Sequence, residues 1–147
     1  MTQEQKDLLL KDLCARLPYS VKAYVKNWSK LDRKYYEGVY TVESIHPSLN
    51  TILVYSERFS VEVIVGYDDY EIKPYLFPLS SMTEEQKEEL NNIFDLDVEI
   101  AITHIKNDTP NYFTGLNRLN WFIKNHFDIY GLIPMDLAID ATGKNIY

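Results

Sequence analysis

Cysteine and glycine are scarce in this sequence of 147 residues, which has one cysteine and five glycines. A lone cysteine cannot form an intrachain disulfide or a zinc site built from several thiolates, so disulfide stapling and redox chemistry are not expected. None of the glycines belongs to a phosphate-cradling loop, a dinucleotide-binding turn or the nucleophile turn of a serine hydrolase. We therefore expect no cofactor and no recognisable catalytic motif.

Long apolar runs and a secretory leader are also lacking. The apolar stretches are short, as at 8–10, whereas a membrane-spanning helix needs about 18 or more such residues. Residues 2–7 are polar where a signal peptide would place a basic start and an apolar stretch. We expect a cytoplasmic protein without a membrane partner. Its size and its 46% hydrophobic content indicate a single globular domain, 1–147.

Two segments open with the same helix-start pattern. Thr2 is followed by Gln5, the spacing of a capping box, and this opening recurs at 82–87. The first opening predicts a helix over about 3–16, and the second predicts one over about 84–94. On the first helix the predicted buried stripe is Leu9, Leu10, Leu13, Cys14 and Leu17, with Lys6, Asp7, Lys11, Asp12 and Arg16 on the other face.

Between these helices the apolar period changes from 3.6 to 2, and β-branched and aromatic residues predominate. The pattern predicts four strands, at 21–28, 39–45, 51–55 and 60–65. The connections are short, which favours antiparallel hairpins. The predicted fold class is α+β: an N-terminal helix, a small curved antiparallel sheet of four or five strands that can close into an SH3-like barrel, two further helices and a packed C-terminal tail.

The C-terminal third continues the same mixture. A strand is predicted at 98–105, a loop at 107–114, and a third helix at about 115–127 with Thr114 as its cap. The tail, 128–147, is too apolar for a mobile end, so we expect it to pack on the domain. Its apolar residues include Leu132, Ile133, Met135, Leu137 and Ile139.

The net charge is −7, and the charged side chains are unevenly distributed along the chain. Residues 1–40 carry 8 basic side chains against 5 acidic ones, whereas 41–105 carry 3 against 13. Such an acidic block repels polyanions, so nucleic acid would have to approach the N-terminal third.

That third contains the strongest candidate for a binding surface. A strand over 21–28 places alternate side chains on one face, and a following loop continues the same mixture of cations and aromatic rings. The candidate residues are Lys22, Tyr24, Lys26, Trp28, Lys30, Arg33, Lys34, Tyr35 and Tyr36. Single-stranded nucleic acid is bound by such a mixture, since rings stack on bases and cations contact phosphates. The alternative is an ordinary solvated strand face whose lysines discourage edge-to-edge pairing.

Other polar side chains do not form a site with recognisable spacing. The histidines, His46, His104 and His126, lie in three separate elements, which does not fit a shared metal ion. The carboxylates of Asp95, Asp97 and Glu99 lack the glycine and the twelfth-position glutamate of a calcium loop. Asp136 and Asp140 fit the solvent face of a short helix better than an acid–base pair. Cys14 is interpreted as a buried small hydrophobe, and no metal site is expected.

Three stretches of the sequence carry a resemblance to known proteins: Lys11–Tyr19, Asp69–Glu85, and Asn125–Ile133 together with Leu137–Ile139. They resemble a family of small uncharacterised proteins encoded in gut bacterial genomes and their prophages. The resemblance implies a small cytoplasmic product of a mobile element. It transfers no functional residues, because no activity is attached to that family.

Three functions remain open on this basis. The leading hypothesis is a non-enzymatic module that binds another protein through an aromatic-rich surface, since the chain has 12 tyrosines but no catalytic pattern. The second is a small barrel that binds single-stranded nucleic acid through the 22–36 face. The third is a small enzyme whose site no known motif marks.

Overall fold

The computed structural model describes residues 1–29, 33–56, 60–64, 70–93 and 114–147, which form an α+β fold. The helices are α1 (Gln3–Arg16), α2 (Glu84–Ile93) and α3 (Thr114–Lys124). The strands are β1 (Lys22–Ser29), β2 (Lys34–His46), β3 (Thr51–Tyr55), β4 (Ser60–Ile64), β5 (Tyr70–Leu76) and β6 (Ile139–Asp140). Short 3₁₀ turns occupy 17–19, 47–49 and 79–81.

The predicted capping box opens α1. The Gln5 amide donates to the Thr2 hydroxyl at 3.2 Å, and the Thr2 amide donates to the Gln5 side chain at 2.9 Å. These two bonds satisfy N–H groups that the first turn leaves without helical acceptors. The prediction of a helix over 3–16 is confirmed.

The predicted buried stripe of α1 is wrong in part. The residues that turn inward are Leu9, Leu10, Leu13, and with them Asp12 and Arg16, while Cys14 is exposed. Positions 9, 12, 13 and 16 follow the i, i+3, i+4, i+7 spacing of one helix face, and Cys14 lies outside it. The two charged side chains are therefore part of the interior.

The six strands form one sheet in the order β4-β3-β2-β1-β5-β6. The first four make an antiparallel meander, and β5 returns to pair antiparallel with β1. The two-residue β6 pairs parallel with β5, so the sheet is mixed rather than wholly antiparallel. Among the described strands no ladder joins β4 to β5, and the sheet remains open instead of closing into the SH3-like barrel.

Several predicted boundaries change. Lys34, Tyr35 and Tyr36 belong to β2 and not to a loop, because the β1–β2 ladder extends as far as the pair Ser29 and Lys34. The fifth strand, which the sequence allows without placing, is β5, and it contains Pro74. The predicted third helix ends at Lys124. The predicted strand at 98–105 lies outside the described residues.

The inner face of the sheet packs on α1. Leu9 and Leu13 are fully buried against Val21, Ala23 and Val25 of the β1 region in one apolar cluster, which also includes Leu132 and Leu137 of the tail. Each buried leucine or valine side chain contributes roughly 1.5–3 kcal/mol by leaving water. The prediction that the tail packs on the domain is confirmed.

A second apolar cluster surrounds the end of α3. His126 has a φ of +58°, the Phe127 amide donates to the Phe122 carbonyl at 2.9 Å, and the His126 amide donates to the Ile123 carbonyl at 3.1 Å. This is a Schellman ending, with its usual apolar contact between the Phe122 and Phe127 rings, whose centroids are 6.1 Å apart. The chain then turns toward β5, where the Phe77 amide donates to the His126 carbonyl at 2.9 Å.

Candidate interaction face

Ladder register determines which side chains share the solvent side of the sheet. Residues opposite each other in an antiparallel pair project to the same face. Tyr24 of β1 lies between Val39 of β2 and Lys73 of β5, and Lys26 lies between Glu37 and Glu71. We call this surface the outer face, comprising Lys22, Tyr24, Lys26, Trp28, Glu37, Val39, Thr41, Tyr55, Glu71 and Lys73.

The structure brings the β1 candidates together as predicted. Lys22, Tyr24, Lys26 and Trp28 are partly exposed on the outer face, while Ala23 and Val25 between them are buried in the core. Strand alternation alone accounts for this arrangement. Arg33 is exposed in a turn with a φ of +52°. Lys30 lies outside the described residues, and Lys34, Tyr35 and Tyr36 are placed only as backbone of β2.

The cations of the outer face are accompanied by acceptors. The Lys22 ammonium donates to the Thr41 hydroxyl at 2.6 Å. Lys73 forms ion pairs with Glu71 at 3.0 Å and with Asp136 at 2.8 Å, and the hydrogen bond to Asp136 raises the pKa of Lys73. Two carboxylates thus share one ammonium group, so this side of the face has surplus negative charge.

Tyr24 occupies the centre of the outer face. Its hydroxyl donates to a Glu37 carboxylate oxygen at 2.9 Å. Burial, reinforced by Glu37 and then Glu71, raises the pKa of Tyr24 to about 12. Nearby carboxylates disfavour a phenolate, so the phenol remains a hydrogen-bond donor at neutral pH.

Two large apolar side chains of the outer face are exposed. Val39 has 45% of its surface exposed, and Tyr55 has 44%. Tyr55 lies opposite Thr41, two residues along β2 from Val39, so the two are diagonal neighbours and Tyr24 adjoins Val39 from β1. An apolar patch of Tyr24, Val39 and Tyr55 therefore borders the charged row of Glu37, Lys26 and Glu71.

A buried polar cluster lies on the other side of the sheet, and sequence patterns did not reveal it. Arg16 donates from Nε and Nη2 to both Asp12 carboxylate oxygens at 2.8 Å, and both side chains are fully buried. Arg16 also donates to the main-chain oxygens of Ile123 at 3.3 Å and Phe127 at 2.7 Å. The i, i+4 spacing of Asp12 and Arg16 is the one local signal for the pair.

His126 adjoins this cluster as a neutral side chain. Burial, with a smaller effect of Arg16, lowers the pKa of His126 to about 4, and its ring stacks on Tyr147 with centroids 3.9 Å apart. Its Nδ1 is buried without a hydrogen-bond partner. A protonated imidazole is therefore disfavoured at the C-terminal end of α3. The arrangement links α1, the end of α3 and Tyr147, which is a structural role.

The remaining candidates do not assemble into a reactive site. Asp136 contacts Lys73, and the Asp140 carboxylate accepts from the Thr142 amide at 2.8 Å. His46 is exposed, whereas His104 and the carboxylates of 95–99 lie outside the described residues. Within the described ranges no group of three potential metal ligands occurs.

No protein-family model, curated protein or solved structure matches this chain. Its own residues are thus the basis for inferring a function. None of the helices in the described part of the chain combines the length and apolarity that crossing a bilayer requires.

Proposed function

We propose that this chain is a non-enzymatic protein-interaction module and that the outer face is its docking surface. The observation that carries the proposal is the clustering of Val39 and Tyr55 beside Tyr24 on that face. Exposed valine and tyrosine side chains recover apolar contact only when a partner covers them. Interface centres are rich in aromatic residues and surrounded by polar groups, which is the composition of this face.

Charge pairing favours a protein over nucleic acid as the partner. A nucleic-acid groove presents surplus cations to phosphates. Here Lys73 is shared by Glu71 and Asp136, while Lys26 lies in register between two glutamates. A phosphate chain laid along β1 would therefore meet carboxylates as often as ammonium groups.

The resemblance to small prophage-encoded proteins supports a cellular context for this role. We propose that the chain acts in the cytoplasm of a bacterium that carries the corresponding mobile element. Binding a host or phage protein there requires no catalytic site of its own.

Affinity capture from nuclease-treated lysate of the encoding bacterium tests the proposal. We expect wild-type protein to retain a partner that can be purified and recombined with it. The double variant Val39→Thr and Tyr55→Thr places threonine, a good strand former, at both positions, and it should weaken binding about tenfold or more if Tyr55 is an interface centre. Leu49→Thr is the matched control, because Leu49 is 66% exposed in the turn after β2.

Two results would contradict the proposal. One is a purified partner that binds wild type and the double variant with equal affinity. The other is a labelled oligonucleotide that binds at low salt, loses affinity linearly on a log–log salt plot, and is released by Lys22→Ala with Lys26→Ala. The second result would establish the nucleic-acid hypothesis instead.

A further inference from the structure

The outer face changes character across a single row of the sheet. Val39, Tyr24 and Lys73 are neighbours on β2, β1 and β5, and adjacent strands are about 4.8 Å apart. The row therefore runs from an exposed apolar side chain, across an aromatic ring, to the cation shared by Glu71 and Asp136 in about 10 Å. A ligand that matches this row has an apolar end and a charged end.

The charged end selects a cation. Asp136 keeps 89% of its side chain exposed and Glu71 keeps 45%, although both bond to Lys73. Glu37 adds a third carboxylate on the far side of Tyr24. At this end Asp136 and Glu71 exceed Lys73, the cation they share, by one charge. Counted together with Glu37, they balance Lys22, Lys26 and Lys73 over the whole outer face. The block of residues 41–105, with 13 acidic and 3 basic side chains, acts in the same direction at longer range.

We propose that the outer face binds a protein segment in which an arginine adjoins apolar side chains, with the guanidinium at Asp136 and Glu71 beside the Tyr24 ring and the apolar side chains on Val39 and Tyr55. This inference rests on the proposed function and names its partner chemistry. Arginine fits better than lysine, because a planar guanidinium bonds two carboxylates at once and also stacks on an aromatic ring. A second copy of this chain is a poor occupant, because each copy has a net charge of −7.

Peptide titrations followed by amide chemical shifts test the chemistry directly. The probes are acetyl-Leu-Arg-Leu-amide and two analogues with lysine or citrulline at the centre, at low ionic strength. We expect the arginine peptide to perturb amides around Tyr24, Val39 and Lys73 and to bind more tightly than the lysine peptide. The citrulline peptide, which has the shape without the charge, should bind at least about threefold more weakly.

Two pairs of variants that remove the same charge at different places distinguish an effect of the carboxylates at the proposed site from an effect of the net charge of the protein. Asp136→Asn with Glu71→Gln should weaken the arginine peptide about threefold or more, and asparagine tolerates the φ of +58° at position 136. Glu88→Gln with Glu89→Gln removes the same charge from exposed positions of α2 and should leave binding unchanged. Equal weakening by both pairs, equal binding of the citrulline peptide, no binding, or perturbations elsewhere would each overturn the inference.

The purified partner distinguishes failure of this inference from failure of the proposed function. If Val39→Thr with Tyr55→Thr weakens the partner but Asp136→Asn with Glu71→Gln does not, the docking surface stands and the arginine assignment fails. If the first pair has no effect, the proposed function fails as well. A dimer in light scattering that the Val39 and Tyr55 changes dissociate would assign the face to a second copy and also overturn the inference.

Discussion

Arg16 connects α1 to the end of α3 through one side chain. Its guanidinium bonds Asp12 within α1 and the carbonyls of Ile123 and Phe127 at the end of α3. A buried charge is tolerated only when a counter-charge and several acceptors satisfy it, and this site meets both conditions. The geometry requires arginine, since a lysine cannot bond both carboxylate oxygens in the same plane.

Removing both members of the Asp12 and Arg16 pair should cost less stability than the sum of the two single removals. Arg16→Met leaves a buried carboxylate without its cation, and a cost of roughly 3–5 kcal/mol in unfolding free energy is expected. Asp12→Leu should cost a similar amount, whereas the double variant should lose less than the sum of the two. Urea denaturation of the four proteins measures the coupling. Strictly additive losses would contradict the account.

His126 makes stability depend on pH in a defined direction. Its pKa is about 4 in the folded protein against 6.5 for the ordinary side chain, so the unfolded chain binds the proton more readily. The neutral His126 side chain makes its full contribution to the free energy of unfolding above pH 6.5. As the pH falls toward 4, this contribution is lost and the free energy of unfolding decreases by roughly 3 kcal/mol. His126→Asn tolerates the positive φ and cannot titrate, so its unfolding free energy should fall less over this window. Parallel pH profiles for the two proteins would contradict the assignment.

At the scale of elements, the Tyr147 side chain forms hydrogen bonds to both β1 and β5 and so joins these neighbouring strands. The Tyr147 hydroxyl donates to the Tyr75 carbonyl at 2.7 Å and accepts from the Lys22 amide at 3.3 Å. The β1–β5 ladder extends to the pair Ala23 and Pro74, so the hydroxyl bridges main-chain groups just beyond its end. Burial raises the pKa of Tyr147 to about 12, and the hydroxyl therefore keeps its proton.

Removing that hydroxyl should destabilise the protein measurably. Tyr147→Phe removes the hydroxyl from two main-chain groups, the Lys22 amide and the Tyr75 carbonyl, and a loss of about 1–3 kcal/mol in unfolding free energy is expected. Tyr55→Phe removes a hydroxyl from a side chain that is 44% exposed and should change stability by less than about 0.5 kcal/mol. Thermal or urea unfolding measures both variants. Equal midpoints for Tyr147→Phe and wild type would show that the bridge contributes nothing.

Elements defined by local chemistry were predictable. The capping box of Thr2 and Gln5 set the start of α1, and the strand predicted at 51–55 from β-branched and aromatic residues matched β3 at both ends. The interior of α1 was not predictable in full, because the groups that make Arg16 acceptable as a buried residue lie 107 and 111 positions away. The parallel pairing of β6 likewise depends on a distant strand, and two residues carry no periodic signal of their own.

The composition of the outer face could be predicted from the sequence only in part. Alternation along β1 correctly placed Lys22, Tyr24, Lys26 and Trp28 on one face. The residues beside them could not be predicted, since register decides that Val39 and Lys73 adjoin Tyr24. That register turns an expected basic surface into one with paired charges and an exposed apolar patch.

Over the whole molecule, charge and exposed apolar surface support the same kind of partner. The chain carries a net charge of −7, concentrated in residues 41–105. The negative electrostatic potential that results favours encounters with basic protein surfaces and opposes the approach of nucleic acid at most orientations. Leu49 and Met1 are also exposed apolar side chains, but they lie away from the outer face, so they serve as internal controls when protection by a partner is measured.

Hydroxyl-radical footprinting of the chain with its purified partner tests the docking surface most directly. If the partner covers the outer face, oxidation of Tyr55 and Val39 should fall several-fold on binding, while Leu49 and Met1 in the same sample remain as reactive as in the free protein. Unchanged oxidation of Tyr55 and Val39 in a saturated complex, with protection of Leu49 or Met1 instead, would contradict the assignment of the outer face as the docking surface.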